Sequence, residues 1–322
     1  MDIRQQDKSN QQQQQKLEVM SIDVKDLHFR FNPQAFDILR GVDIQLRPGD
    51  RCLLIGANGA GKSTLLQILA GKRMTRSKAK VLGQDVFFNT PEGVTYLGTE
   101  WASNPVVRSD LIVSHFLDSI GGYRHKARRD KLLDILDVDL DWHMHQISDG
   151  ERRRVQIVQG LMSPWKLLLL DEVTVDLDVM VRQELLDFLV EDSKARNSTI
   201  LYATHIFDGL DTFPTHVCHL QIGSTTLPTP IKWPINPNSL SLDTSKGQIS
   251  IETLEKLNDP NRVGSRLLIL ALNLLKNDRE VRLRLESDDL IPQFKKRGSK
   301  LESSVPTDSE SFYRKYDYTN NA

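Results

Sequence analysis

Residues 51–71 read RCLLIGANGAGKSTLLQILAG, and the fold turns on how this stretch changes period. Cys52 to Ile55 form an unbroken apolar run, the pattern of a strand buried on both faces. The next residues, Gly56, Ala57, Asn58, Gly59, Ala60 and Gly61, are too small and too rich in glycine to extend that strand. Beyond Ser63 the apolar residues recur at Leu65, Leu66, Ile68 and Leu69, a helical spacing, and Gly71 supplies a helix stop.

Two more apolar runs, in KLLLLDEV (166–173) and STILYATH (198–205), predict buried strands, and MVRQELLDFLVEDSKAR (180–196) predicts an amphipathic helix between them. Strands alternating with helices imply an α/β fold with a mainly parallel sheet covered on both faces. The alternating LEVMSIDVKDLHFRF (17–31) and ILRGVDIQLR (38–47) predict strands of an N-terminal antiparallel β portion, and 101–164 predict a helical subdomain. The main domain is expected over 20–223. A C-terminal extension is expected over 224–290, Pro- and Ser-rich at first and then helical across 265–286. The Gln-rich residues 1–19 and the polar residues 291–322 offer too little apolar surface to fold and are expected to be disordered.

The net charge of −1 on 322 residues gives no global electrostatic reason to bind nucleic acid or a membrane surface. The apolar run RLLILALNLLK (266–276) is far short of the roughly 20 residues that span a bilayer. The opening MDIRQQDKSNQQQQQK lacks the apolar run of a signal peptide. Cys52 and Cys218 sit in apolar runs and read as unpaired core residues of a reducing compartment. The location is therefore read as cytoplasmic, with KKRGSK (295–300) the one stretch whose composition would add the nucleus.

GANGAGKST (56–64) has the spacing of a P-loop and the strand-then-helix context that loop requires. Its glycines let successive backbone N–H groups turn toward phosphate oxygens, and the following helix adds its N-terminal dipole. Lys62 carries the charge for β- and γ-phosphates, and Ser63 the hydroxyl for Mg²⁺, so ATP and Mg²⁺ are the expected ligands. Asp171 closes a buried strand, where an acid can hold the same ion through water, and Glu172 follows where a hydrolytic water needs polarising. His205 ends the third buried strand, within reach of a γ-phosphate. HQISDGERRRVQ (145–156), read alone, is a helix cap followed by a charged helix. His143-Met-His145 reads as a solvated loop without a third metal ligand nearby, and Arg152-Arg-Arg154 as a solvated face.

Over about residues 20–223 these motifs together resemble the nucleotide-binding domain of the ATP-binding cassette (ABC) ATPases. GANGAGKST, from Gly56 to Thr64, is similar to the Walker A motif, and LLLLDE to Walker B, with Glu172 at the place of the catalytic carboxylate. VDLD (175–178) falls at the D-loop and His205 at the switch histidine. ISDGE (147–151) stands where the family carries Leu-Ser-Gly-Gly-Gln. The resemblance implies a head-to-tail homodimer in which Ser148 and Gly150 of one subunit cap the γ-phosphate held by the other. It also puts Phe31 at the position of the aromatic that stacks on adenine. Three departures stand out: Asp149 for the first signature glycine, Thr99-Glu100 where a glutamine is usual, and Val175-Asp176 at the D-loop. They imply slow hydrolysis.

YLGTEW (96–101) and SDGERRRVQI (148–157) resemble the eukaryotic soluble ABC ATPases without membrane domains, a subgroup linked in fungi to a transcription-regulatory mRNA-deadenylase complex. The resemblance implies a regulatory ATPase acting on a soluble protein partner, without direct nucleic-acid binding. Two alternatives stay open: the ATPase subunit of a transporter whose membrane domain is a separate chain, and a nucleotide-gated binding protein with weak hydrolysis.

Overall fold

The computed structural model describes residues 19–88, 91–98, 101, 105–226, 230–235, 249–259, 264–288 and 291. The Gln-rich tail, Thr99, Glu100 and KKRGSK lie outside the described residues. The chain divides into two units, 1–282 and 283–322, and in the second the described residues carry the last turn of a helix that ends at Ser287.

The strand read from residues 52–55 is β3 (Arg51–Ile55), at the centre of a parallel sheet. On one side it pairs with β8 (Thr199–Ala203), which is followed by β7 (Leu167–Asp171) and then β6 (Val94–Leu97). On the other it pairs with β9 (His216–Gln221), to which the short β10 (Ser224–Thr225) and β11 (Ile231–Lys232) add antiparallel. A second, antiparallel sheet joins β1 (Ile22–Phe29), β2 (Leu39–Leu46), β4 (Ala79–Val81) and β5 (Gln84–Asp85). The α/β fold with an antiparallel N-terminal portion is thus present.

The apolar runs are continuous because both sheet faces are buried. Cys52, Leu54, Leu167, Leu169, Leu201 and Ala203 point into one core with α1 (Lys62–Leu69) and the antiparallel sheet. Their neighbours Leu53, Ile55, Leu168, Leu170, Ile200 and Tyr202 point into the other. That second core takes α2 (Val113–Ser119), α3 (Lys126–Leu136), α4 (Asp149–Leu161) and α5 (Val179–Arg196). Leu257 of α6 (Ile251–Asn258), a helix not anticipated from the sequence, enters the same core. So do Leu267, Leu270, Ala271 and Leu274 of α7 (Arg266–Ser287). Cys52 and Cys218 are buried and free, and burial pushes the Cys218 thiol up to about 12.

One ion pair ties the helical layer together. Arg128 of α3 donates to both carboxylate oxygens of Asp192 on α5, at 2.5 and 2.7 Å, and Arg196 Nε donates from one turn on at 2.9 Å. Burial opposes the Asp192 charge, but the hydrogen bonds from Arg128 and Arg196 outweigh it and hold the carboxyl below the usual carboxylate range. Asp192→Ala leaves two half-buried guanidinium groups without that partner and should destabilise the chain by about 1–3 kcal/mol. Because the folded carboxyl is depressed, its stabilisation is present above the unfolded value near 3.9 and is lost as pH falls through the folded one. Urea melts of wild type and variant at pH 7 and at pH 3 check this: the difference between them should shrink at the lower pH.

Candidate active site

The P-loop spans the gap between β3 and α1, and its shape is set by close packing. A Cβ on Gly56 would fall 2.4 Å from the carbonyl oxygen of Leu220 on β9, so no side chain fits there. Gly59 and Gly61 adopt φ of +83° and +100°, in the left-handed region open to glycine. Ala60 is buried and its N–H donates to Ala57 at 3.0 Å, while Asn58 is exposed and Thr64 is half-buried on α1. Lys62 is buried beneath the loop and its Nζ donates to the carbonyls of Gly56 (2.7 Å) and Ala57 (3.2 Å). Burial lowers the Lys62 ammonium pKa, against the opposing fields of Glu172, Asp171 and Asp278.

The carboxylates come from the end of β7. Asp171 is buried, accepts from the exposed Ser63 hydroxyl, and receives Tyr96 O–H at 3.4 Å. Burial raises its pKa, and the charge of Glu172 adds to the rise. Glu172 holds φ of +53°, a left-handed conformation that costs a side-chain-bearing residue about 1 kcal/mol. Its N–H makes the last bond of the ladder to β8, donating to Ala203 O at 2.9 Å, and beyond it the left-handed turn takes the chain off the sheet with the side chain half-buried. His205 Nδ1 lies 3.2 Å from Glu172 Oε1. Lys62, Ser63, Asp171, Glu172 and His205 therefore gather at the carboxyl ends of β3, β7 and β8, where open α/β sheets bind ligands. A buried cation using carbonyls as acceptors, beside a carboxylate whose charge burial disfavours, fits an anionic phosphate chain together with a divalent cation.

Phe31 is exposed beyond the end of β1, edge-on to Phe29, with the Arg73 guanidinium 4.9 Å over its ring. It borders a cavity of about 510 Å³ with His28, Pro33 and Met74. The tie to the P-loop runs through β2: Phe29 pairs with Leu39, whose side chain closes against Gly61.

Ser148 and Gly150 are not brought into this cluster. They start α4, which packs on the sheet face opposite α1. Ser148 is the N-cap: its Oγ accepts from Glu151 N–H at 3.2 Å, and the Glu151 carboxylate accepts from Ser148 N–H at 2.7 Å. Gly150 has open space, the nearest atom to an added Cβ being the Asp176 carbonyl at 3.8 Å. Asp149 turns away into an ion pair with Arg152 at 2.8 Å, with Arg108 at 3.6 Å; the Arg152 hydrogen bond holds its carboxyl below the usual range.

Two features escaped the sequence reading. Arg152, Arg153 and Arg154 do not form a solvated face. Arg153 is buried and donates to Gly98 O at 2.7 Å, joined there by Gln156 at 3.0 Å. Arg152 holds Met144 O at 2.8 Å, and Arg154 reaches the carbonyl of Leu136 at 3.4 Å. These acceptors are backbone carbonyls, which a sequence does not display. Nor did any signal in the sequence mark Asp278 of α7. It is buried with its Oδ1 3.0 Å from His219 Nε2, and it accepts from Gln221 at 2.9 Å, on the strand that abuts Gly56.

Comparison with known proteins agrees with this geometry. Residues 39–175 match the model of the ABC transporter family. CCR4-associated factor 16 of Saccharomyces cerevisiae is 38% identical over 282 residues, which cover 81% of this chain and 96% of that protein. ABC transporter I family member 21 of Arabidopsis thaliana is 44% identical over 219 residues, covering 64% of this chain and 77% of that one. Among solved structures, the ATP binding subunit of an ABC transporter matches with a TM-score of 0.56 at 24% identity, over 64% of this chain and 88% of that chain.

Proposed function

This chain belongs to the ATP-binding cassette family, and from that premise we propose that it binds and hydrolyses Mg-ATP as a head-to-tail homodimer and passes the resulting motion to a protein partner. The observation that supports the dimer is the separation of its two halves: α1, which follows the P-loop, and α4, which the signature starts, pack on opposite faces of one sheet. Gly150 has no intramolecular reason to be glycine, since an added methyl would meet only ordinary contacts. Beside it, Val175, Val179 and Met180 are exposed, apolar surface of the kind a second subunit covers.

Within each site Lys62 and the loop N–H groups bind phosphate, and Phe31 stacks on the base. Ser63 and Asp171 would hold Mg²⁺, whose charge neutralises the phosphate oxygens. Glu172 takes the proton of the attacking water, His205 senses the γ-phosphate, and the partner copy's signature closes over it. Asp149 brings a negative charge to the turn that would face phosphate, and its ion pair with Arg152 offsets part of that charge. A regulatory rather than a transport role is supported by the similarity, over 96% of its length, to a protein named for association with CCR4. Among the described residues no helix is long and apolar enough to cross a membrane. We place the chain in the cytoplasm on this reading.

Gly150→Ala tests the dimer. Alanine is favoured over glycine within a helix by about 0.5–1 kcal/mol, so the variant should melt no lower than wild type. In light scattering, the Glu172→Gln chain should double its mass in Mg-ATP and not in Mg-ADP, and adding Gly150→Ala should abolish the doubling. A monomer in Mg-ATP without the Gly150 change would remove the homodimer from the proposal.

A further inference from the structure

His143 and His145 flank Met144, which is fully buried and fixes the backbone between them. The segment is a turn, closed by Gln146 N–H donating to His143 O at 2.9 Å, and it is pinned to its neighbour: Met144 N–H donates to Leu111 O at 2.8 Å, and Val113 N–H to Trp142 O at 2.9 Å. Ile112 and His143 form an antiparallel bridge. Within the turn Met144 is buried, whereas the His143 and His145 side chains remain 37% and 39% exposed, so both imidazoles stand on the outer side. Asp110, on the neighbouring segment, completes the group: its Oδ1 lies 2.8 Å from His143 Nδ1 and 3.1 Å from His145 Nδ1. The potential ligand atoms of the three residues all lie within 4.8 Å of one another.

We propose that Asp110, His143 and His145 form a divalent-metal site of the Zn²⁺ class, distinct from the Mg²⁺ position at Ser63 and Asp171. Two imidazole nitrogens and one carboxylate oxygen are the donor set that borderline-soft ions take, whereas Mg²⁺ prefers oxygen alone. Three protein ligands leave a fourth tetrahedral position to water, so the ion is exchangeable. Both ligating nitrogens are Nδ1, which leaves each Nε2–H to the outer shell. Gln146 stands there for His145, 3.2 Å from its Nε2, and rotation of the amide presents its oxygen to that N–H.

The site lies on the approach to the signature helix. Arg152 holds the carbonyl of Met144 at 2.8 Å and the Asp149 carboxylate at the same distance, so the loop that carries the ligands is tied to the first turn of α4. A bound ion would clamp residues 110–112 to 143–145 just ahead of Ser148.

The experiment uses the full, tag-free chain, stripped with a chelator and held in excess Mg²⁺ so that the nucleotide site cannot contribute. Zn²⁺ is titrated by calorimetry, and Co²⁺ is read by its visible absorption. The expected result is one ion per chain, with a Co²⁺ spectrum of tetrahedral intensity. His143→Ala and His145→Ala should each weaken binding by at least about 10-fold, and the double change should remove it. The metal-free double variant should melt with metal-free wild type, because these side chains are partly exposed. No saturable Zn²⁺ binding by wild type below about 100 μM overturns the proposal. So does undiminished binding by the double variant. A double variant that melts early is replaced by Asp110→Asn, which must then show the loss. The readout is independent of ATP and of dimerisation.

Discussion

Glu172→Gln should slow ATP hydrolysis by about 10²- to 10⁴-fold while ATP binding changes by no more than a few-fold. The two acids at the end of β7 face different surroundings. Asp171 is buried, with hydrogen bonds from Ser63 and Tyr96, and is spoken for by the cation it is suited to hold. Glu172 is carried off the sheet by its left-handed φ of +53° and keeps a half-buried carboxylate 3.2 Å from His205. It is therefore the group placed to accept a proton from water. Glutamine keeps the length, shape and backbone strain of this position and loses only the basic oxygen. Removing its charge also relieves Asp171 of a repulsion, so cation binding should not suffer. Single-turnover phosphate release and equilibrium ATP binding on the same preparation check both halves. A variant that still hydrolyses within about 3-fold of wild type would take the proton-accepting role away from Glu172.

Gly56→Ala should abolish ATP binding and destabilise the chain by about 1–3 kcal/mol, a large effect for one methyl group. The clash is with the Leu220 backbone oxygen at 2.4 Å, and neither side can move easily. Ile55 is in register with His219, so β3 and β9 are hydrogen-bonded neighbours at this point. Behind β9, the His219 and Gln221 side chains meet Asp278 of α7, which stiffens the strand further. The methyl must push the P-loop instead, displacing the Gly56 and Ala57 carbonyls that hold Lys62. Gly59→Ala is the control. An added Cβ there meets nothing within 4 Å, and the φ of +83° adds strain of only about 1 kcal/mol, so ATP binding should weaken without vanishing. Melting temperatures and ATP titrations of the pair separate the contributions. Equal binding by both variants would mean that the β3–β9 contact does not shape the loop.

The sequence by itself determined the central strands, the glycine loop and its helix, because each is written in contiguous residues whose period reports what the backbone does. Leu167–Leu170 and Ile200–Ala203 are apolar without interruption since both sheet faces are covered, and that is visible without knowing what covers them. The candidate phosphate and metal ligands were legible for the same reason: Lys62, Ser63, Asp171, Glu172 and His205 each stand at the end of such a strand or at the start of its helix. Tertiary structure alone decided the rest. Periodicity says which side of an element is buried but not which distant group it meets. Nothing near Arg153 in the chain announces Gly98 O, and nothing near His143 announces Asp110. Asp278 reaches the strand beside the P-loop only because α7 folds back onto its own core. The placement of α1 and α4 on opposite faces, which separates the phosphate loop from Ser148 and Gly150, follows from the spatial order of the strands: the chain crosses outward from β3 to β6 with α1 and returns to β7 with α4. These pairings join residues far apart along the chain, and sheet topology brings them together.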